Sequence, residues 1–216
     1  MGQHRITTTL RAASLSLALL AAMQAPAAVI GNTSPGPAIL SPQAQGYYQR
    51  AMEMLGDGNY AGVIDQIGIL ETEGCGLPEN ERSECAYMLA MALYERGDAE
   101  CVSRLRDFAT SNPASPRALT ARLAAADYFF FAGQYGPALE AYDEIDFSRV
   151  APARQPEYRY RRALSMVKCG LYSEARTAFE SLLATDGYEV PATYYLAYID
   201  YAQGNLEVAY EGFEKT

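Results

Sequence analysis

Five glycines recur at intervals that leave the chain little choice of architecture. Gly58, Gly97, Gly133, Gly170 and Gly204 are separated by 39, 36, 37 and 34 residues. Seven residues before each stands an alanine: Ala51, Ala90, Ala126, Ala163 and Ala197. Five after come Val63, Val102, Ala138, Ala175 and Ala209, and nine after come Ile67, Arg106, Tyr142, Phe179 and Phe213. Ten before come Tyr48, Tyr87, Leu123, Tyr160 and Tyr194. Small residues on both sides of a glycine, at helical spacing, predict two antiparallel helices in close approach. The glycine ends the first helix, because it takes the left-handed conformation without strain. One such hairpin cannot bury both of its faces, so the units must stack on one another. No segment carries a convincing strand period.

The frame is clearest over Pro156–Leu183, where Ala163, Gly170, Tyr172, Ala175 and Phe179 fall in register. A period in the mid-thirties with two helices per unit, small residues about a glycine turn, aromatics and a proline at the head resembles the tetratricopeptide repeat family. The resemblance covers residues 42–216 and departs from the family in three ways. The chain has no Trp. Alanine replaces the family's first glycine in every unit, and the second unit has Ala99 and Arg106 where aromatics are usual. The third and fourth units match best. The resemblance implies an all-α, right-handed superhelical solenoid of about five units, near residues 42–72, 78–112, 116–147, 156–186 and 191–216.

Residues 1–27 read as a signal peptide. Arg5 and Arg11 give a positive start, Ala12–Ala22 is a short apolar run, and Ala25-Pro26-Ala27 offers small residues for cleavage. The run is too short for a transmembrane helix. Residues 28–41, rich in Pro, Gly, Ser and Asn, read as a flexible leader. Ser41-Pro42, Pro78, Ser115-Pro116, Pro156 and Pro191 then head the first helix of each unit.

Composition removes several functions. Without residues 1–27 the chain has 15 Lys and Arg against 26 Asp and Glu, a net charge of −11. So acidic a chain is a poor ligand for nucleic acid. Its one histidine is His4, in the signal peptide, so the exported chain has no imidazole for a nucleophilic triad or a metal site. Gly56-Asp57-Gly58-Asn59-Tyr60-Ala61 fits a dinucleotide fingerprint in letters only, since it follows a helix and is the first unit's turn. No cofactor and no enzymatic activity are expected. Arg154, Arg159, Arg161 and Arg162 form the one basic cluster, read as a solvated, ion-paired helix face, with a contact for an acidic ligand as the alternative.

Four cysteines remain. Cys75 and Cys85 flank the loop between units one and two and are candidates for a disulfide in an oxidising compartment. Cys101 and Cys169 sit within helical patterns and read as small buried hydrophobes.

Seventeen tyrosines and seven phenylalanines are the remaining positive feature. The family resemblance implies a concave groove lined by the first helices. Its partner-binding positions would then include Tyr48, Tyr87, Tyr94, Phe130, Tyr160, Tyr194, Tyr198 and Tyr201. The alternative is that these rings pack between units. The resulting expectation is an exported, periplasmic protein-interaction scaffold of the cell envelope that takes a peptide or a protein partner. A second reading is the sensor arm of a larger membrane-bound regulator, any membrane contact lying in a downstream segment. The fifth unit reaches Phe213 and stops at Thr216 with no polar cap, so further sequence is expected beyond it.

Overall fold

A computed structural model describes residues 42–73 and 77–216. The proposed signal peptide, the leader and Cys75 lie outside the described residues. Among the described residues ten α-helices follow one another as five antiparallel pairs. The pairs are α1 (Pro42–Gly56) with α2 (Tyr60–Glu73), α3 (Glu79–Arg96) with α4 (Glu100–Ser111), and α5 (Pro116–Phe131) with α6 (Tyr135–Asp143). They continue with α7 (Gln155–Lys168) and α8 (Tyr172–Glu180), then α9 (Glu189–Ala202) and α10 (Leu206–Glu214). A 3₁₀ turn, Phe147–Arg149, links the third pair to the fourth. No strand occurs among the described residues, and none of their helices is long and apolar enough to cross a membrane.

All five turns are built alike. The repeat glycines have φ between 71° and 86°, the left-handed region. Each donates its N–H three residues back, and the following residue donates five back, as in Gly170 to Val167 and Leu171 to Met166 at 3.0 and 2.9 Å. This double bond satisfies carbonyls that a helix end leaves open. At the other end of a unit, Ser115 caps α5 by accepting from the Arg117 N–H at 3.2 Å, with Pro116 in the first turn.

The alanines before the turns do the packing that their spacing implies. Ala51, Ala90, Ala126, Ala163 and Ala197 are all buried. Across from them Val63, Ala138, Ala175 and Ala209 are buried too, with Ile67, Tyr142 and Phe179 one turn on. In the last pair the approach is closer still: a Cβ on Gly212 would lie 2.7 Å from the Ala197 Cβ.

The second unit departs from this register. Its core side chains are Cys101, Leu105 and Phe108, each one residue earlier than the repeat frame would place them. Val102 is only half-buried and Arg106 is exposed. The cause is the turn. Elsewhere the small residue donates four back, as Ala138 does to Gln134, whereas Cys101 donates three back to Asp98 at 3.1 Å. The Asp98 carboxylate also accepts from the Glu100 N–H at 2.9 Å. This tighter entry turns α4 by one residue, so its apolar stripe shifts with it. Cys101 is thereby buried as expected, but Cys169 is exposed, because it ends α7 beside the Gly170 turn.

From the second unit on, each first helix packs against its own second helix and that of the preceding unit, and ion pairs tie neighbouring units. Arg104 meets Glu71 at 2.7 Å, Arg117 meets Glu84, Arg161 meets Asp127 at 2.7 Å, and Arg176 meets Asp200 at 2.6 Å. The pair joining the third and fourth units is the most enclosed of these.

Candidate functional site

The first helices place the candidate rings in three different environments. Tyr87 is buried, its ring 5.1 Å from Phe108 of α4, with the Arg117 guanidinium 4.9 Å from its centroid. Burial pushes its phenol up to about 12. Tyr94 is fully enclosed as well. These two rings belong to the core and present no surface to a partner, which corrects their assignment to the groove. The reason for Tyr87 is stacking: it faces the next unit, whose Arg117 lies over its ring.

Tyr48, Phe130, Tyr160 and Tyr198 are half-buried. Phe130 sits in a small aromatic set with Phe131 at 5.4 Å and Tyr135 at 5.9 Å. Tyr160 is the hub of a larger one. Its ring lies 5.9 Å from Phe179, 5.7 Å from Tyr188 and 6.1 Å from Tyr195. Tyr195 stacks on Phe179 at 5.2 Å with 14° between planes, and reaches Tyr198 at 6.4 Å. Burial raises the Tyr160 phenol, and its neighbours Tyr195 and Tyr188 raise it further. The repeat frame does not mark Tyr188 or Tyr195, because Tyr195 lies nine before Gly204, one residue off the stripe, and Tyr188 lies sixteen before it. The signal for Tyr195 is the Tyr194-Tyr195 doublet, in which only one ring can hold the frame position.

Tyr194 and Tyr201 form the third group, 43% and 59% exposed. Tyr194 touches Tyr195 at 5.2 Å and Phe213 at 5.4 Å, and its outer face is open.

The basic cluster is largely spoken for within the fold. Arg161 pairs with Asp127 and Glu157, Arg162 with Asp143 at 2.6 Å, and Arg154 donates to the Tyr158 hydroxyl. Arg159 and Arg162 line a cleft of about 560 Å³ together with Met166 and Ala178. Glu174 stands in the same lining, so the cleft carries both signs of charge. Among the described residues no group of three His, Cys, Asp or Glu side chains is placed to hold a metal ion. Cys85 is buried, and burial pushes its thiol up to about 11, with Glu81 and Glu71 adding to the shift. Cys75, its proposed partner, lies outside the described residues.

No protein-family profile matches the sequence, and no curated protein matches it. Solved structures share its fold. A MamA crystal structure aligns over 80% of this chain and 89% of its own, with 15% identity and a TM-score of 0.59. MamA from AMB-1 aligns with a TM-score of 0.63 at 14% identity, over 80% of this chain and 89% of that one. The nearly identical tetratricopeptide-like repeats of a kinesin-light-chain-type protein from Podospora anserina align over 81% and 93%, with 17% identity and a TM-score of 0.53. The chain therefore has the fold of a tetratricopeptide-like solenoid.

Proposed function

We propose that this chain is a non-catalytic protein-interaction scaffold of the periplasm or cell envelope, which holds a peptide or a partner's helix along its first helices. The observation that carries this reading is that each of three successive first helices keeps a half-buried ring: Phe130 on α5, Tyr160 on α7 and Tyr198 on α9. Such rings have an apolar body fixed by neighbours and a wet edge, which suits an anchor of a binding surface. The fold supports the same reading, since similar solenoids offer extended surfaces rather than enclosed pockets. The export signal in residues 1–27 supports the compartment.

The test is capture from an envelope extract with the chain lacking residues 1–27 as bait. Phe130→Ala and Tyr198→Ala should each weaken the captured interaction by more than about 1 kcal/mol while the helical signal persists. Equal capture by both variants would show that these rings only pack the units. Finding the unprocessed chain in the cytoplasm after fractionation would overturn the compartment.

A further inference from the structure

The cleft of about 560 Å³ in the fourth unit is lined from two helices and a turn. Arg159, Arg162 and Met166 come from α7, Glu174, Thr177 and Ala178 from α8, with Ser181 just past its end. Phe147 of the 3₁₀ turn completes the lining. The apolar members are the covered ones: Met166 is buried, and Phe147 and Ala178 are half-buried. Arg159, Glu174, Thr177 and Ser181 are exposed. Covered apolar side chains with a few polar groups about them, at this volume, are the usual make-up of a small-ligand site.

The polar members are sorted by helix. From α7 come donors. Arg162 donates its Nε to Asp143 at 2.6 Å, and Arg159 donates one terminal nitrogen to Gln155 at 3.2 Å. Each guanidinium keeps a terminal nitrogen with no acceptor among the described residues. From α8 come acceptors. The Thr177 and Ser181 hydroxyls already donate to the Ser173 and Ala178 carbonyls, at 3.4 and 2.7 Å, so a ligand finds only their lone pairs. Glu174 has no hydrogen bond or ion pair with any described residue. Arg159 and Glu174 thus line one cleft with opposite charges that do not pair. The repeat does not require this set. In the place of Glu174 the other units have Gly62, Cys101, Pro137 and Val208, and none of them has arginine at both of the other two positions.

We propose that this cleft binds a short free peptide of about two or three residues that carries a large apolar side chain. Its carboxylate meets the arginines of α7, its ammonium meets Glu174, and its side chain lies against Phe147 and Met166. Arg159 and Arg162 stand one turn apart on one helix face, where guanidinium forks suit a carboxylate. A plain carboxylate would leave Glu174 unmatched, and a plain amine would leave the arginines unmatched. The size agrees, since two or three extended residues span roughly 7–11 Å, the scale of a cleft of about 560 Å³. An internal stretch of a partner protein reaches the same apolar side chains but has neither terminal charge. The two ends of the ligand therefore decide what the cleft takes.

The test titrates leucyl-phenylalanine into the full chain, followed by amide chemical shifts, beside its N-acetyl, C-terminal amide and doubly capped forms. We expect saturable shifts in α7 and α8, with either single cap weakening binding by at least about fivefold. Arg159→Gln should abolish the penalty of the amide, and Glu174→Gln the penalty of the acetyl group. Both variants should keep the parent melting curve, as both side chains are exposed. A doubly capped peptide that binds as tightly as the free one overturns the proposal and assigns the cleft to an internal protein segment. Acetylation without penalty overturns it too, leaving a site for a simple carboxylate. So does the lack of any saturable shift up to about 10 mM. Phe130 and Tyr198 do not line the cleft. Their alanine variants leave this binding intact, so its outcome is separate from that of the proposed scaffold surface.

Discussion

Asp127 of α5 and Arg161 of α7 meet at 2.7 Å across the boundary between the third and fourth units, with only 6% and 12% of their side chains exposed. Tyr142 donates to the other carboxylate oxygen at 2.5 Å, and the guanidinium also pairs with Glu157 and lies 4.9 Å from the Phe131 ring. Burial pushes the Asp127 carboxyl up, opposed by the Arg161 charge and by the Tyr142 and Arg161 hydrogen bonds. The pair therefore acts as a keyed joint. It fixes the register of the two halves of the solenoid at a boundary where a 3₁₀ turn lengthens the connection. Removing one partner leaves the other charge buried alone. Arg161→Ala should cost about 3–5 kcal/mol in urea unfolding, and Asp127→Leu with Arg161→Met should recover most of it. Equal loss in the single and double variants would show that packing, not charge, holds the joint.

The buried phenols predict an alkaline limit to stability. Tyr87 is pushed up to about 12 by burial, and burial likewise raises Tyr158, Tyr160 and Tyr195. A raised value in the fold means that the unfolded chain loses its proton first, near the ordinary value of 10. The contribution is therefore complete below pH 10 and is lost as pH climbs toward the folded values. For Tyr87 alone the difference is worth about 3 kcal/mol. The urea midpoint should hold from neutral pH to about pH 10 and fall sharply by about pH 11, with part of the tyrosinate absorbance appearing only on unfolding. A midpoint that stays level to about pH 12 would contradict the burial of these rings.

Much of this architecture was legible because a repeat writes the same physics five times. The glycine turn requires a residue free of Cβ strain, and the facing alanines require absent side chains, so both leave plain marks in the letters. Register within one unit leaves a fainter mark. Asp98 and Glu100 tighten one turn, and nothing in the spacing of Val102 and Arg106 announces it. Exposure of the rings was harder still, since it depends on what stacks above them. Tyr87 and Tyr194 hold the same position, yet the first is covered by Arg117 and the second by nothing among the described residues. A periodic pattern therefore finds the stripe, but only the neighbours decide which of its members are surface.

The loop between the first two units gives a redox prediction. A Cys75–Cys85 bridge would close a loop of about ten residues and contribute about 2–3 kcal/mol by chain entropy. In protein from an oxidising compartment, peptide mapping without reductant should recover the linked pair, and reductant should lower the unfolding midpoint accordingly. Recovery of both cysteines as free thiols sinks the idea. Slow alkylation of Cys85 alone does not support it, because burial already holds that thiol protonated.

The slipped register of α4 can be checked by comparing two adjacent substitutions. By repeat arithmetic, position 106 should hold the core and position 105 should lie beside it. The structure reverses them: Leu105 is fully buried, while Arg106 is exposed with its guanidinium 5.7 Å from the Phe129 ring. Leu105→Ala empties a packed site and should cost about 2–5 kcal/mol. Arg106→Ala removes an exposed cation–π contact and should cost under about 1 kcal/mol. The ratio between the two is the informative quantity, since both lie on the same helix and sense the same local propensity. If Arg106→Ala proved the costlier change, α4 would have to sit one residue further round, with Val102 rather than Cys101 facing the first helix of its unit.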